Sequence, residues 1–132
     1  GAYEVSIADT IGVGTPIRTR QVLEAVAEAI PLEVIGVHFH DTYGQALANL
    51  HAALELGVGR LDSSVAGLGG CPYAPGATGN VATEDVVYML DGMGIDSGID
   101  LKKLVKTAWF ISDFLDRPPV SSVAKALKNK LD

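Results

Sequence analysis

The sequence has 132 residues, 48% hydrophobic and 20% charged, with a net charge of −6 and one cysteine. The length suits one globular domain, and the acidic balance argues against nucleic acid or an anionic membrane as partner. No apolar run approaches the ~18 residues of a membrane span, no amino-terminal signal pattern is present, and a lone cysteine allows no internal disulfide. That usage fits a reducing cytoplasm or an organelle matrix. An anionic small substrate stays compatible with the charge, because a bound cation would invert the local field.

In chain order, Tyr3 to Ala8 is a short β-branched and aromatic run ending at Asp9-Thr10. It begins almost at the first residue, as expected of a chain cut from a longer one. Gly12, Gly14 and Pro16 mark a loop, with Thr15-Pro16 as a helix start. Val22, Leu23, Ala25, Val26, Ala29 and Ile30 recur at helical spacing, and Pro31 stops that helix. Glu33 to Phe39 reads as a buried strand closing on His38-Phe39-His40-Asp41. Gly44 to Leu56 is a second helix with Gly57 as its stop, and Arg60 to Val65 a third strand. A glycine-dense stretch follows, Ser64 to Asn80, with two prolines and the cysteine. Glu84 and Asp85 then put acids in the first turn of a helix. Gly92, Gly94 and Gly98 break it, and helices over Leu101–Leu115 and Ser121–Leu131 complete the chain.

Strands alternating with helices mean a parallel sheet with crossover connections. The candidates are a doubly wound sheet and a (β/α)8 barrel, both of which gather ligands at the carboxyl ends of their strands. Each strand here carries polar residues at that end: Asp9, then His38 and His40, then Asp62 and the glycine stretch. No dinucleotide-type glycine fingerprint follows the first strand, so the barrel is preferred. A whole barrel takes roughly 250 residues. The expected fold class is therefore α/β, the carboxyl-terminal part of a TIM barrel with about three parallel strands. Residues 1–132 are expected to form one partial barrel domain, its other strands lying upstream.

His38 and His40 stand two apart on a strand, so both rings leave the same face, with Cα atoms roughly 6.6 Å apart. Such a pair can meet on one divalent cation, or simply hydrogen-bond at a strand end. Asn80 is either an oxygen ligand or the N-cap of the next helix. Cys71, between Gly70 and Pro72, could transfer a proton or attack as a thiolate, while Gly69 and Gly70 let the backbone approach a substrate. Asp9 could be a general acid/base, a metal neighbour or a loop cap. His51 reads as a surface or packing residue, and Trp109 and Phe110 as a helix face covering core. Arg18 and Arg20 could meet phosphates at a helix start, with a solvated face as the preferred reading.

Three segments carry a resemblance: SIADTIGVGTP (Ser6–Pro16), VHFHDTYGQALAN (Val37–Asn49) and DSSVAGLGGCPYAPGATGNVATEDVVYML (Asp62–Leu90). They resemble the hydroxymethylglutaryl-CoA lyases. HxHD is shared with a wider superfamily of metal-dependent lyases and Claisen-type synthases, whereas the GLGGCPYAPGATGN loop is the specific part. The resemblance implies a barrel enzyme that cleaves 3-hydroxy-3-methylglutaryl-CoA to acetyl-CoA and acetoacetate, in leucine degradation and ketone-body formation. It implies a Mg2+ or Mn2+ ion on His38, His40 and Asn80, and Cys71 as the catalytic cysteine. Asp9 matches an acidic residue of the family's acid/base chemistry, and Asp9 or His38 could be the base. The family's remaining ligand, an aspartate, and a neighbouring arginine have no counterpart in these residues. The chain alone is thus expected to be inactive. Expected partners are an acyl-CoA substrate and, in a full-length parent, further copies of itself. A bacterial cytoplasm or a mitochondrial matrix is the expected compartment. The alternatives are a related synthase or aldolase, and a non-catalytic fragment.

Overall fold

In the computed structural model, which describes residues 1–70 and 78–130, a parallel sheet has the order β1 (Val5–Asp9), β2 (Ile35–Phe39), β3 (Arg60–Asp62). The connections are helices, α1 (Pro16–Ala27) between β1 and β2 and α2 (Ala46–Leu56) between β2 and β3. This is the α/β class that the alternating pattern predicts. The chain divides into two compact units: Gly1–Asp62 with Gly70–Asn80, and Ser63–Gly69 with Val81–Asp132.

In the first unit β2 is the middle strand, and Ile35, Val37 and Phe39 alternate onto its buried face. Ile35, Val37 and Phe39 are buried, as are Leu23 of α1 and Leu50 and Ala53 of α2. Helix α1 begins with Pro16 in its first turn, where a missing N–H costs nothing. It ends three residues before its predicted limit, because the Ala29 and Ile30 amides both turn back to the Val26 carbonyl. A 3-10 turn at Leu32–Val34 then shortens the predicted strand from its start. Helix α2 starts at Ala46 rather than Gly44, since Asp41 Oδ1 accepts the Ala46 N–H at 2.9 Å. Gly57 ends it with a φ of 100°, its N–H reaching the Ala53 and Leu54 carbonyls.

The second unit contains α3 (Thr83–Gly92), α4 (Leu101–Phe114) and α5 (Ser122–Leu127). The predicted strand over Arg60–Val65 stops at Asp62. Beyond it the Ser64 N–H bonds to the Val81 carbonyl, and Val65–Gly67 forms a 3-10 turn. Ala66 has a left-handed φ of 59°, unfavourable for a residue with a Cβ, so no strand can continue there. The Ala66 N–H donates to both oxygens of Glu84, at 2.9 and 3.2 Å, and Glu84 is wholly buried. Asp85 binds elsewhere, its oxygens accepting from Ser121 Oγ and from the Ser122 and Val123 amides at the start of α5. Both acids therefore serve specific donors beyond the helix dipole that the sequence suggests.

Val105, Ala108 and Ala124 form the core here, with Trp109 packed against them. Trp109 Nε1–H donates to the Ala124 carbonyl at 2.8 Å, and Lys128 lies over its ring. Phe110 departs from expectation. The buried stripe of α4 is Val105, Ala108 and Ser112, which leaves Phe110 on the outer side, 73% exposed.

Burial raises the Glu84 pKa above its usual value, desolvation outweighing the Ala66 hydrogen bond. Folding thus favours the protonated carboxyl. Its contribution is intact below the unfolded value of about 4.5 and declines as pH rises toward the folded value. Glu84→Gln keeps an acceptor without the charge, and should flatten that decline in thermal unfolding measured from pH 4 to 8. Glu84→Ala orphans the Ala66 N–H and should cost roughly 1–3 kcal/mol at pH 4, with the difference from the parent shrinking as the pH rises. Equal effects of the two variants would show that the carboxyl does no more than fill space.

Candidate metal and catalytic site

Strand β2 sets the geometry. Its alternation puts Val37 and Phe39 against the helices and leaves His38 and His40 together on the other face. The two rings lie 5.5 Å apart between centroids, tilted by 44°. Beyond the strand the backbone is held twice: the His40 N–H donates to the Asp9 carbonyl at 3.2 Å, and the Asp41 N–H to the Gly79 carbonyl at 3.2 Å. The second bond closes an isolated antiparallel bridge between His40 and Asn80. Residues forty apart in sequence become neighbours through main-chain bonds alone.

His40 is 6% exposed, and its Nδ1 is buried without a hydrogen-bond partner. Such a nitrogen is costly unless something outside the chain uses its lone pair. His38 is more open, and its Nδ1 meets Asp62 Oδ2 at 3.3 Å. These two are also register partners, His38 on β2 and Asp62 on β3. The donor types suit a divalent ion: two imidazoles, with the amide of Asn80 beside His40. Among the described residues, no group of three or more His, Cys, Asp or Glu side chains could hold a metal.

Asn80 is not an N-cap. Helix α3 is preceded by Ala82, which has no capping side chain, so the cap alternative for Asn80 is corrected. Asp9 does act as a loop cap: Oδ1 accepts the Val13 N–H at 3.2 Å and Oδ2 the Gly14 N–H at 2.7 Å. Only glycine fits at position 14, where a Cβ would stand 2.8 Å from that oxygen. Asn49 of α2, buried, holds the same glycine from behind by donating Nδ2–H to its carbonyl at 3.1 Å. Strand alternation pairs Asp9 with Phe39, so its side chain leaves the sheet on the face opposite His38.

Gly69 has a φ of 87°, and Gly70 is exposed with open space where a Cβ would stand. Cys71 lies outside the described residues. His51 is a surface residue as expected, 3.6 Å from Glu55, which also pairs with Arg20. Sequence reasoning placed Asp62 at a strand end and Glu84 in a first helical turn but missed their partners, His38 and Ala66, and missed Asp41 as the residue that caps α2.

Residues 1–111 match the HMGL-like family model. Over 126 residues the chain is 58% identical to the mitochondrial hydroxymethylglutaryl-CoA lyase of Homo sapiens, covering 96% of this chain and 39% of that one. Among solved structures, the hydroxymethylglutaryl-CoA lyase of Pseudomonas aeruginosa superposes with a TM-score of 0.94 at 57% identity, over 98% of this chain and 43% of that one. An HMG-CoA lyase of Acinetobacter baumannii in complex with coenzyme A and 3-methylmalate gives 0.90 at 39% identity, over 96% and 42%. The chain therefore spans about two fifths of these relatives' length. No described helix is long and apolar enough to cross a membrane. With a family match that takes in all three strands, both histidines and the glycine stretch, the chain belongs to the HMGL-like family.

Proposed function

We propose that the protein carrying this chain is a divalent-metal-dependent carbon–carbon lyase that cleaves 3-hydroxy-3-methylglutaryl-CoA to acetyl-CoA and acetoacetate. One observation supports this reading: the His38 and His40 rings lie side by side at the end of β2, with Asn80 bridged to His40, in a chain 58% identical to a hydroxymethylglutaryl-CoA lyase. The buried, unpartnered His40 Nδ1 fits a centre in which these side chains hold an ion. The proposal includes Mg2+ or Mn2+ as that ion, with His38, His40 and Asn80 as this chain's ligands. It extends to leucine degradation and ketone-body formation, to a homo-oligomeric enzyme, and to the mitochondrial matrix or a bacterial cytoplasm as its compartment.

The reaction is a retro-Claisen cleavage. When bound, the ion lowers the pKa of the substrate's tertiary hydroxyl and polarises the carbon that bears it. A base on the enzyme takes the hydroxyl proton as the bond between that carbon and the thioester-side methylene breaks. Acetoacetate leaves, and the acetyl-CoA enolate must gain a proton on its methylene carbon. Cys71 is assigned to donate it, with Gly69 and Gly70 letting its backbone come close to the thioester. Asp9 is the acid/base candidate of β1. With both oxygens on backbone amides, it is also well placed to fix the loop that follows.

In the full-length enzyme, Cys71→Ala should lower kcat by roughly 100-fold or more, the usual scale of a lost proton donor. Mn2+ affinity should stay within threefold of the parent. A kcat within a few-fold of the parent would remove Cys71 from the mechanism. The metal assignment is checked separately, by Mn2+ binding followed by electron paramagnetic resonance. His38→Ala and His40→Ala should each abolish stoichiometric binding and Asn80→Ala weaken it. Retention of tight binding by either histidine variant would refute the centre.

A further inference from the structure

His38 and His40 share a face, yet their surroundings differ. His40 offers a buried Nδ1 with no partner, whereas the Nδ1 of His38 is held by Asp62. We propose that Asp62 is a positioning residue that fixes the proton of His38 on Nδ1 and so turns the Nε2 lone pair toward the metal. The inference rests on the reading of the two histidines as metal ligands.

Three observations support it. First, the contact is built into the sheet. His38 and Asp62 are register partners on adjacent parallel strands, so their side chains leave the same face side by side. Second, Asp62 is the spare acid of that face. Arg60, two residues earlier on β3, pairs with Glu4 at 3.6 Å and leaves the Asp62 carboxylate to the imidazole. Third, Asp62 does not join the histidines as a third ligand. Among the described residues, no such triple of metal-binding side chains exists. It stands behind one ring.

The chemistry then follows from what each group can do. A neutral imidazole carries one N–H and one lone pair, and an ionised carboxylate can only accept. Asp62 therefore selects the tautomer protonated on Nδ1, which leaves Nε2 as the ligating nitrogen. A carboxylate behind a ligand ring also raises the basicity of that ring's other nitrogen. Without Asp62, both tautomers of His38 compete and only one can ligate.

The test uses the full-length enzyme labelled with 15N-histidine, as parent, Asp62→Ala and Asp62→Asn. The metal-free nitrogen shifts report the His38 tautomer directly. The parent should show Nδ1–H alone and the alanine variant a mixture, with Nδ1–H regained in the asparagine variant, whose amide oxygen can still accept. Mn2+ affinity should fall roughly 10- to 100-fold in Asp62→Ala, the range for lost partners behind metal ligands, and recover most of that in Asp62→Asn. An unchanged tautomer, or Mn2+ affinity within threefold of the parent in Asp62→Ala, overturns the proposal. If His38→Ala binds Mn2+ as tightly as the parent, the metal reading fails instead. The metal-free tautomer still decides the role of Asp62 in that case. Asp62 is more than half exposed, so the variants should fold, and the asparagine variant tests the same bond without removing the side chain.

Discussion

The site depends on the bond from the Asp41 N–H to the Gly79 carbonyl. It brings the far end of the glycine stretch alongside the end of β2 and sets Asn80 next to His40. A backbone bond of this kind is indifferent to which side chains flank it. The side chains are instead chosen by the period of two along the strand. A slip of one residue in the pairing of β2 would send both histidines to the helix face and bring Phe39 out. The bond from the His40 N–H to the Asp9 carbonyl, together with five register pairs between β1 and β2, opposes such a slip.

Acidic side chains do much of the remaining structural work. Asp9 ties the loop after β1, Asp41 starts α2, Glu84 holds Ala66 in its left-handed conformation, and Asp85 starts α5. Each accepts a backbone N–H that would otherwise be unsatisfied, and where the acid is charged, as burial disfavours for Glu84, the bond is the stronger. Part of the net charge of −6 is thus committed to the fold. Asp62 is different, because it meets a side chain, the His38 ring.

This difference explains what could be read from the sequence. Apolar runs of period two and 3.6 made the described strands and helices visible, and Gly57 fixed the end of α2 through its own backbone limits, whereas α1 ends at Ala27, short of Pro31. The HxH spacing alone placed two rings on one face. Contacts set by tertiary register were not legible. Nothing within Arg60–Val65 announces that the strand ends at Asp62, and the 3-10 turn that follows carries Ala66, whose N–H is held by Glu84 eighteen residues further on. Asn80 precedes a helix and so resembles a cap; its bridge to His40 depends on how a distant strand ends. Phe110 sits beside Trp109 in an apolar run, and only the packing of α4 separates the covered ring from the exposed one.

The proposed donor set has a further consequence. Two neutral imidazoles and an amide carry no charge, so a dication held by them alone would keep its full charge in a partly buried place. Attraction to an anion is strong there, since the effective dielectric constant is well below that of water. Asp62 is an anion this chain supplies beside His38, and in the proposed arrangement it acts through the ring rather than by direct contact. The remaining charge must be met by the substrate's own oxygens, or by side chains in the larger part of the relatives' length that this chain does not span. An anionic substrate would then bind more tightly with the ion in place, and the ion more tightly with the substrate, as linkage between the two sites requires. The neutral donors of this chain would leave the ion charge to share with an anionic substrate, so that ion and substrate reinforce each other's binding.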